Sequence, residues 1–308
     1  MFENPRNLAA DLADKSTGLM SKIQLSDEES RMEGAPVGDL YAVEVLTDTE
    51  LRPLNNAADV VKKLSSYSKD TPWSEQFAIV EGIRSLLLFH AEELNTTPKD
   101  KVITCVIDSL ESLRSSSARS GIFAGGLLIK YGRLCREELH RVVQAMVMRT
   151  AGGPKFICDV AEGVLSEALL TIDPLLATES LMDGTQHKNA DVVSKAYVIM
   201  GQSFTRVGVM TPERCAAHLR VIKSLFNGLN SKRVPGKESS RVAVRHLRKL
   251  IGDSEFARTV ASCDLPNSLT KLIAKEVSDI ISVSVAATAC EGSGMVITAQ
   301  DPVLVDSV

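Results

Sequence analysis

The sequence predicts an all-α fold in which antiparallel helix pairs stack side by side into an α-α superhelix. Three observations lead to this prediction. The 308-residue chain is 44% hydrophobic but only 4% aromatic, a composition that fits helices packed on helices better than an aromatic-rich β-sandwich. Apolar residues recur at the 3.6-residue spacing of an amphipathic helix in one segment after another. Alternating apolar runs that end in an Asn-Gly or Asp-Gly hairpin turn are missing from the sequence.

About twelve segments carry the helical pattern, and short polar breaks separate them. Phe77, Val80 and Ile83 fall on one face of the second segment, at helical spacing. Thr211 followed by Pro212 predicts the start of a helix. A threonine side chain can accept a hydrogen bond from a first-turn amide, and proline has no amide hydrogen that would lack an acceptor there. The segments are 57–68, 73–94, 99–113, 118–134, 136–151, 155–172, 174–184, 189–207, 212–230, 239–252, 253–263 and 265–281.

The predicted helices pair at a spacing of roughly 35–45 residues, which is the spacing of HEAT and armadillo repeats. About six such pairs fit into the chain. Sequence similarity among the pairs is weak, so a globular all-α bundle stands as the alternative. Gly125-Gly126 falls inside a helical pattern and indicates close helix packing. Gly152 and Pro154 indicate the end of one helix and the start of the next.

Charge is distributed unevenly along the chain. The net charge is −7 in residues 1–50, +7 in residues 51–276 and −4 in residues 277–308. The polar, weakly periodic ends predict a mostly disordered acidic segment over 1–50 and a flexible acidic tail over 284–308. The helical-repeat domain is expected to span residues 51–283. Its basic character favours an acidic partner through long-range attraction.

The sequence carries no arrangement typical of an active site or a metal site. Its glycine pairs do not match a phosphate-binding loop, and no HExxH or GxSxG string occurs. Six scattered cysteines without a CxxC pair favour reduced thiols over disulfides or zinc ligands. We therefore expect a protein that is not an enzyme and holds no cofactor and no metal. Without a long apolar window or a secretion signal, we expect no membrane contact and a cytoplasmic location.

Six short strings follow one another at repeat spacing between residues 51 and 250. They are LRPLNNAADVVKKL (51–64), TPWSEQFAIVEGIRSLLLFH (71–90), LRSSSARSGIFAGGLL (113–128), GGPKFICDVAEGVLSEAL (152–169), HKNADVVSKAY (187–197) and GKESSRVAVRHLRKL (236–250). Together they resemble a TOG domain, the HEAT-repeat module that binds tubulin. The resemblance is closest to the CLASP N-terminal and crescerin branch of that family.

The resemblance implies a flat paddle of about six helix pairs, with the turns inside the pairs lined up along one edge that binds tubulin. The tubulin-binding residues that it implies are Trp73, Arg114, Arg119, Lys155, Lys188, Lys195, Lys237, Arg241 and Arg245. Turns on one edge of a solenoid project to the same side, so these cations would form a stripe. Each cation taken singly is also consistent with an ordinary solvated surface charge.

Trp73 has two interpretations. It either packs over the start of its helix or stands exposed as an interface anchor, and the resemblance favours the exposed position. The sequence departs from the family in the fourth and fifth turns. Val193 stands where the family has an arginine, Arg245 is one place out of register, and residues 231–240 lengthen the fifth turn.

The leading functional hypothesis is a tubulin- or microtubule-binding protein of the cytoskeleton, with a cilium or flagellum suggested by the crescerin likeness. A single such domain needs oligomerisation, a scaffold partner or the microtubule lattice to gain avidity. The alternative is a HEAT-repeat adaptor that binds another acidic protein or a peptide. Nucleic acid is a less favoured partner, because the basic charge is modest and aromatic stacking platforms are missing.

Overall fold

The computed structural model describes residues 44–94 and 97–276, and helices with short connections make up this part of the chain. It contains no strand within these residues. The helices are α1 (Ala57–Ser65), α2 (Trp73–Phe89), α3 (Ala91–Leu94), α4 (Lys99–Leu110), α5 (Ser115–Tyr131), α6 (Arg136–Arg149), α7 (Lys155–Leu169), α8 (Pro174–Ser180), a 3-10 turn (Asp183–Gln186), α9 (Ala190–Phe204), α10 (Pro212–Ala217), α11 (Leu219–Gly228), α12 (Val234–Ser262) and α13 (267–276).

These helices form six consecutive pairs, which confirms the all-α repeat prediction. The first three pairs are α1 with α2, α4 with α5, and α6 with α7. The fourth joins α8 and the 3-10 turn to α9, and the fifth joins α10 and α11 to the first part of α12. Gly252, with φ of 76°, interrupts α12, so its last part pairs with α13. The second helices α2, α5 and α7 contact one another in sequence, as do α9 and α12.

Glycine permits the close approach of neighbouring helices. A Cβ atom on Gly126 would lie 2.5 Å from Val164 of α7, and one on Gly121 would lie 2.6 Å from the Leu110 amide nitrogen of α4. These distances are shorter than any normal van der Waals contact, so a side chain at either position would push the helices apart. The close packing predicted from Gly125-Gly126 is therefore confirmed.

A continuous apolar core runs between the two helices of every pair and from each pair to the next. Amphipathic faces meet there, as the helical spacing of the sequence predicts. Phe226 of α11 and Phe256 of α12 close the core near its C-terminal end, with an edge-to-face contact of 5.9 Å between ring centroids. Asp173 and Thr211 cap the starts of α8 and α10 through side-chain oxygens that accept backbone amides.

Arg84 of α2 is a fully buried arginine that holds the chain preceding α1 in place. Its Nη2 donates to the Leu46 carbonyl and to Asp48, each at 2.7 Å, and its Nη1 donates to Glu81 at 2.8 Å. The guanidinium carbon also lies 4.9 Å from the ring centroid of Phe123. A buried charge is tolerated only with such partners. Residues 44–50, which the sequence assigned to the disordered acidic segment, therefore pack on the domain.

The fifth turn is shorter than the sequence suggested. Helix α12 begins at Val234, so the turn is 229–233 and residues 234–240 are helical. The prediction of a lengthened turn was wrong because Pro235 lies in the first turn of α12. Proline fits there, since a backbone amide at that position has no acceptor within the helix and the fixed φ of proline suits the helix. Helix α5 likewise begins at Ser115, three residues earlier than the apolar pattern indicated.

The predicted disorder of residues 1–43 and 284–308 lies outside the described residues, as do residues 277–283. The division into an acidic segment, a domain and a tail otherwise stays a prediction. Among the described helices, none combines the length and the apolar character that crossing a bilayer requires.

Replacing Arg84 with Met should destabilise the domain, because it leaves Asp48 and the Leu46 carbonyl without this donor and removes the ion pair of Glu81. We expect a loss of about 3 kcal/mol, which lowers the melting temperature by roughly 6–12 °C for a domain of this size. Thermal denaturation followed by circular dichroism measures it. Arg245→Met is the control, since Arg245 is half exposed and lies 3.6 Å from Glu276. An equal fall in both variants would contradict the role of Arg84.

Candidate functional site

Five turns join the two helices of the first five pairs, and they lie at the starts of the second helices. They are residues 66–72, 111–114, 150–154, 187–189 and 229–233. Because the second helices stack on one another in the same direction, their N-terminal ends project to one side. We call these turns, together with the first two residues of each following helix, the turn edge.

Local sequence sets where each second helix begins. Pro72 and Pro154 precede α2 and α7 with extended ψ, which ends the turn at that residue. Gly152, with φ of 106°, gives the third turn a left-handed residue. The Asn189 side chain accepts the Asp191 amide at 2.9 Å and so caps α9.

Trp73 and Arg114 meet on the turn edge. Trp73 is the first residue of α2 and keeps 39% of its surface exposed. Arg114 immediately precedes α5, and its guanidinium carbon lies 4.5 Å from the centroid of the Trp73 ring. An arginine over an indole face makes a favourable cation–π contact and fixes both side chains. The structure thus places Trp73 at the surface rather than in the core, beside a cation from the neighbouring pair.

The third and fourth turns each present an exposed lysine. Lys155 is the first residue of α7, and Lys188 lies in the turn before α9. Neither forms an ion pair with another described residue. Because both charges are exposed and unpaired in this part of the chain, both lysines can attract an acidic partner over long range.

Three exposed apolar residues on the turn edge were missed from the sequence. Leu113 in the second turn is 99% exposed, Phe156 at the start of α7 is 46% exposed, and Val234 at the start of α12 is 69% exposed. The sequence did carry a signal for Phe156. It directly follows Pro154 and Lys155 at the start of the helix, and the buried apolar face begins one residue later, at Ile157. Nothing in the local sequence distinguished Leu113 from a core leucine.

Arg119 does not stand free on the edge. It lies one turn into α5, half-buried, with its guanidinium carbon 5.6 Å from the Phe123 ring centroid. It also acts on Glu50, whose pKa is lowered mainly by hydrogen bonds from Thr47 and, to a smaller extent, by the charges of Arg119 and Arg52. Arg119 therefore faces the segment that precedes α1.

Three further predicted cations lie behind the edge, in ion pairs between neighbouring helices. Lys195 of α9 pairs with Glu162 of α7. Arg241 of α12 donates through Nε to Glu276 of α13 at 2.7 Å, and Arg245 lies 3.6 Å from the same carboxylate. Such pairs tie one second helix to the next. The single stripe of cations that we expected is therefore divided between the edge and the helix faces behind it.

The fifth turn completes the edge. Lys237 lies one turn into α12 and is half-buried, whereas Lys232 and Arg233 lie in the turn itself and are exposed. Arg233 donates through Nε to Asp191 at the start of α9, at 2.8 Å. The geometry thus brings Trp73, Arg114, Lys155 and Lys188 of the predicted set to the turn edge.

No group of three histidine, cysteine or acidic side chains in the described part of the chain could hold a metal ion. The cysteines there are free thiols. Burial raises the pKa of Cys105 to about 12, with a further contribution from Asp108, and burial raises that of Cys263 to about 11. Neutral buried thiols behave as small apolar side chains.

Two curated proteins of similar sequence are called TOG array regulator of axonemal microtubules protein 1, from Mus musculus and from Homo sapiens. Each is 24% identical over 147 residues, which is 47% of this chain. The matched region spans only 8% of the length of either relative. No family model matches the chain.

Solved structures give the fold. The TOG domain of Zyg9 from C. elegans aligns with 72% of this chain and 81% of its own length, at a TM-score of 0.54 and 14% identity. The chain has the fold of a TOG domain. The third TOG domain of Drosophila melanogaster Mini spindles aligns with 72% of this chain and 93% of its own length, at a TM-score of 0.50 and 15% identity. At these identities the comparison establishes the TOG fold alone.

Thiol labelling at pH 8 should divide the five described cysteines of this TOG fold by burial. Cys135 is exposed and Cys158 half-buried, whereas Cys105, Cys215 and Cys263 are buried with raised pKa values. Because the thiolate is the reacting form, a raised pKa slows labelling at any pH below it. Peptide mapping after brief labelling should find Cys135 modified first and the three buried thiols only after unfolding. Rapid native labelling of Cys105 would contradict this core.

Proposed function

We propose that this chain is a non-enzymatic cytoskeletal protein that binds tubulin through its turn edge. The stack of Arg114 on Trp73 is the observation that carries the proposal. It presents an exposed aromatic ring and a guanidinium together, and tryptophan and arginine are the residues that most often dominate protein interfaces. The TOG fold and the similarity to regulators of axonemal microtubules support tubulin as the partner.

The chemistry of the edge suits an acidic protein surface. The guanidinium of Arg114 can donate to a carboxylate while its face stays on the indole, because its donors lie in the guanidinium plane. Lys155 and Lys188 supply attraction that steers the encounter without fixing its geometry. We propose cytoskeletal microtubules as the place of action, and the axoneme of a cilium or flagellum in particular, from the names of the similar proteins.

Changing the stack should abolish binding. Trp73→Ala removes an anchor worth about 2 kcal/mol, close to a thirtyfold change in affinity. Trp73→Glu also places a negative charge against an acidic partner, so we expect no detectable binding. Arg114→Ala removes a charge-assisted contact worth roughly 1.5–3 kcal/mol. Co-sedimentation with microtubules and gel filtration with free tubulin measure the effect.

The control variants reverse exposed cations away from the turn edge. Lys249 lies near the end of the first part of α12, just before the break at Gly252, and Arg220 lies within α11. Neither pairs with an acidic residue of the described structure. Arg136 and Arg214 are less suitable, because Arg136 pairs with Glu179 and Arg214 donates to the Val209 carbonyl. If Lys249→Glu with Arg220→Glu weakens binding as much as Arg114→Ala, attraction is diffuse and the edge is not the site.

The melting temperature of each variant serves as the control for correct folding. Both members of the stack are at the surface, so we expect each edge variant to melt within about 2 °C of the parent protein. Wild-type protein that binds neither microtubules nor tubulin would instead favour an adaptor that recognises another acidic protein.

A further inference from the structure

The first three turns of the turn edge differ from the last two in the side chains that they expose. Each of the first three turns presents a large exposed apolar side chain: Trp73, Leu113 and Phe156. Leu113 is 99% exposed, which leaves a whole leucine side chain in water. Adjacent exposed apolar groups of this size mark a surface that is covered in the working state. Arg114 and Lys155 lie beside them, so a cation stands next to each apolar group.

The arginine on the second half of the edge, and one just behind it, already pair with carboxylates of the domain. Arg233 pairs with Asp191 at 2.8 Å, and Arg241 pairs with Glu276 at 2.7 Å. The carboxylate already beside each arginine partly cancels its positive charge. Such an arginine therefore attracts the carboxylates of a partner less strongly than an unpaired arginine does.

The fourth turn presents no exposed large apolar side chain, and the fifth presents Val234 alone. Val234 is 69% exposed, but the cation beside it, Arg233, already pairs with Asp191. Lys188 and Lys232 remain as exposed ammonium groups there. Lone surface ammonium groups attract over distance and contribute little as fixed contacts.

We propose that the binding surface is confined to the first three turns and accepts a protein surface whose apolar ridge is flanked by carboxylates. This inference rests on the proposed function, with tubulin as the partner. The fourth and fifth turns then supply only long-range attraction.

The size of this surface sets its strength. Neighbouring helices lie about 8–10 Å apart, so three turns form a strip of about 20 Å. Such a strip buries much less than the roughly 800 Å² per partner of a standard interface. Binding by one copy of this edge is therefore weak and reversible, and avidity has to come from a second contact.

Leu113→Asp and Val234→Asp are matched changes, one in each half of the edge. Both replace an exposed apolar side chain with a carboxylate, and neither disturbs the core. We expect Leu113→Asp to weaken tubulin binding at least tenfold, because an apolar contact becomes a charge facing carboxylates. Val234→Asp should change it by less than about twofold. Titration of labelled tubulin at constant ionic strength measures both.

Lys155→Glu and Lys188→Glu form a second matched pair, with the same charge reversal in the third and fourth turns. We expect about a tenfold loss for Lys155→Glu, which sits beside Phe156. The loss for Lys188→Glu should be less than about threefold and should vanish at high salt, as screening removes long-range attraction. Melting temperatures within about 2 °C of the parent confirm that the fold is kept.

The outcomes separate the two proposals. Equal losses in both halves would overturn the confinement to three turns and leave tubulin binding at the turn edge intact. Larger losses for Val234→Asp and Lys188→Glu would also overturn it. Wild-type protein that does not bind tubulin would overturn the proposed function, and this inference with it.

Discussion

The close contact between successive second helices is the constraint on which the rest of this structure depends. Helix α5 packs against α4 and α7 at positions where only glycine fits, and a Cβ atom on Gly121 or Gly126 would lie within 2.6 Å of a neighbour. Close packing fixes how far each helix can slide along the next. Helix α5 also packs along α2, and in this packing Arg114 at the start of α5 lies 4.5 Å from the Trp73 ring at the start of α2. The candidate site is a consequence of helix register.

Charge in this protein serves two purposes that compete for the same side chains. Arg84 is buried, pairs with Asp48 and Glu81 and donates to the Leu46 carbonyl, so its charge holds the segment before α1 against the first two pairs. Arg241 likewise joins α12 to α13 through Glu276. A cation in such a pair stabilises the stack of helices and attracts an external carboxylate less strongly. The net charge of the basic middle thus overstates the charge that the turn edge offers.

In the proposed site, the stack of Arg114 on Trp73 would lower the cost of binding. A free surface arginine loses much of its rotamer freedom when a partner fixes it. Here the indole ring of Trp73 already restricts the guanidinium, and Trp73 itself is held at the N-terminal end of α2 by the preceding Pro72. Part of the ordering cost is therefore met in folding, before any partner arrives.

The sequence by itself determined the helical character of the chain, the pairing of the helices and the positions of the first four turns to within a few residues, because apolar periodicity, Asp173 and Thr211 as caps, and Pro154 after Gly152 act over a few residues. It also placed Trp73, Arg114, Lys155 and Lys188 at the ends of helices or in turns. Only the tertiary structure decided which cations remain available, since Glu162 and Glu276 reach Lys195, Arg241 and Arg245 from helices about 35 residues away in the chain. Exposure of Leu113 and burial of Arg84 were decided in the same way, because both depend on what the neighbouring helix pair covers.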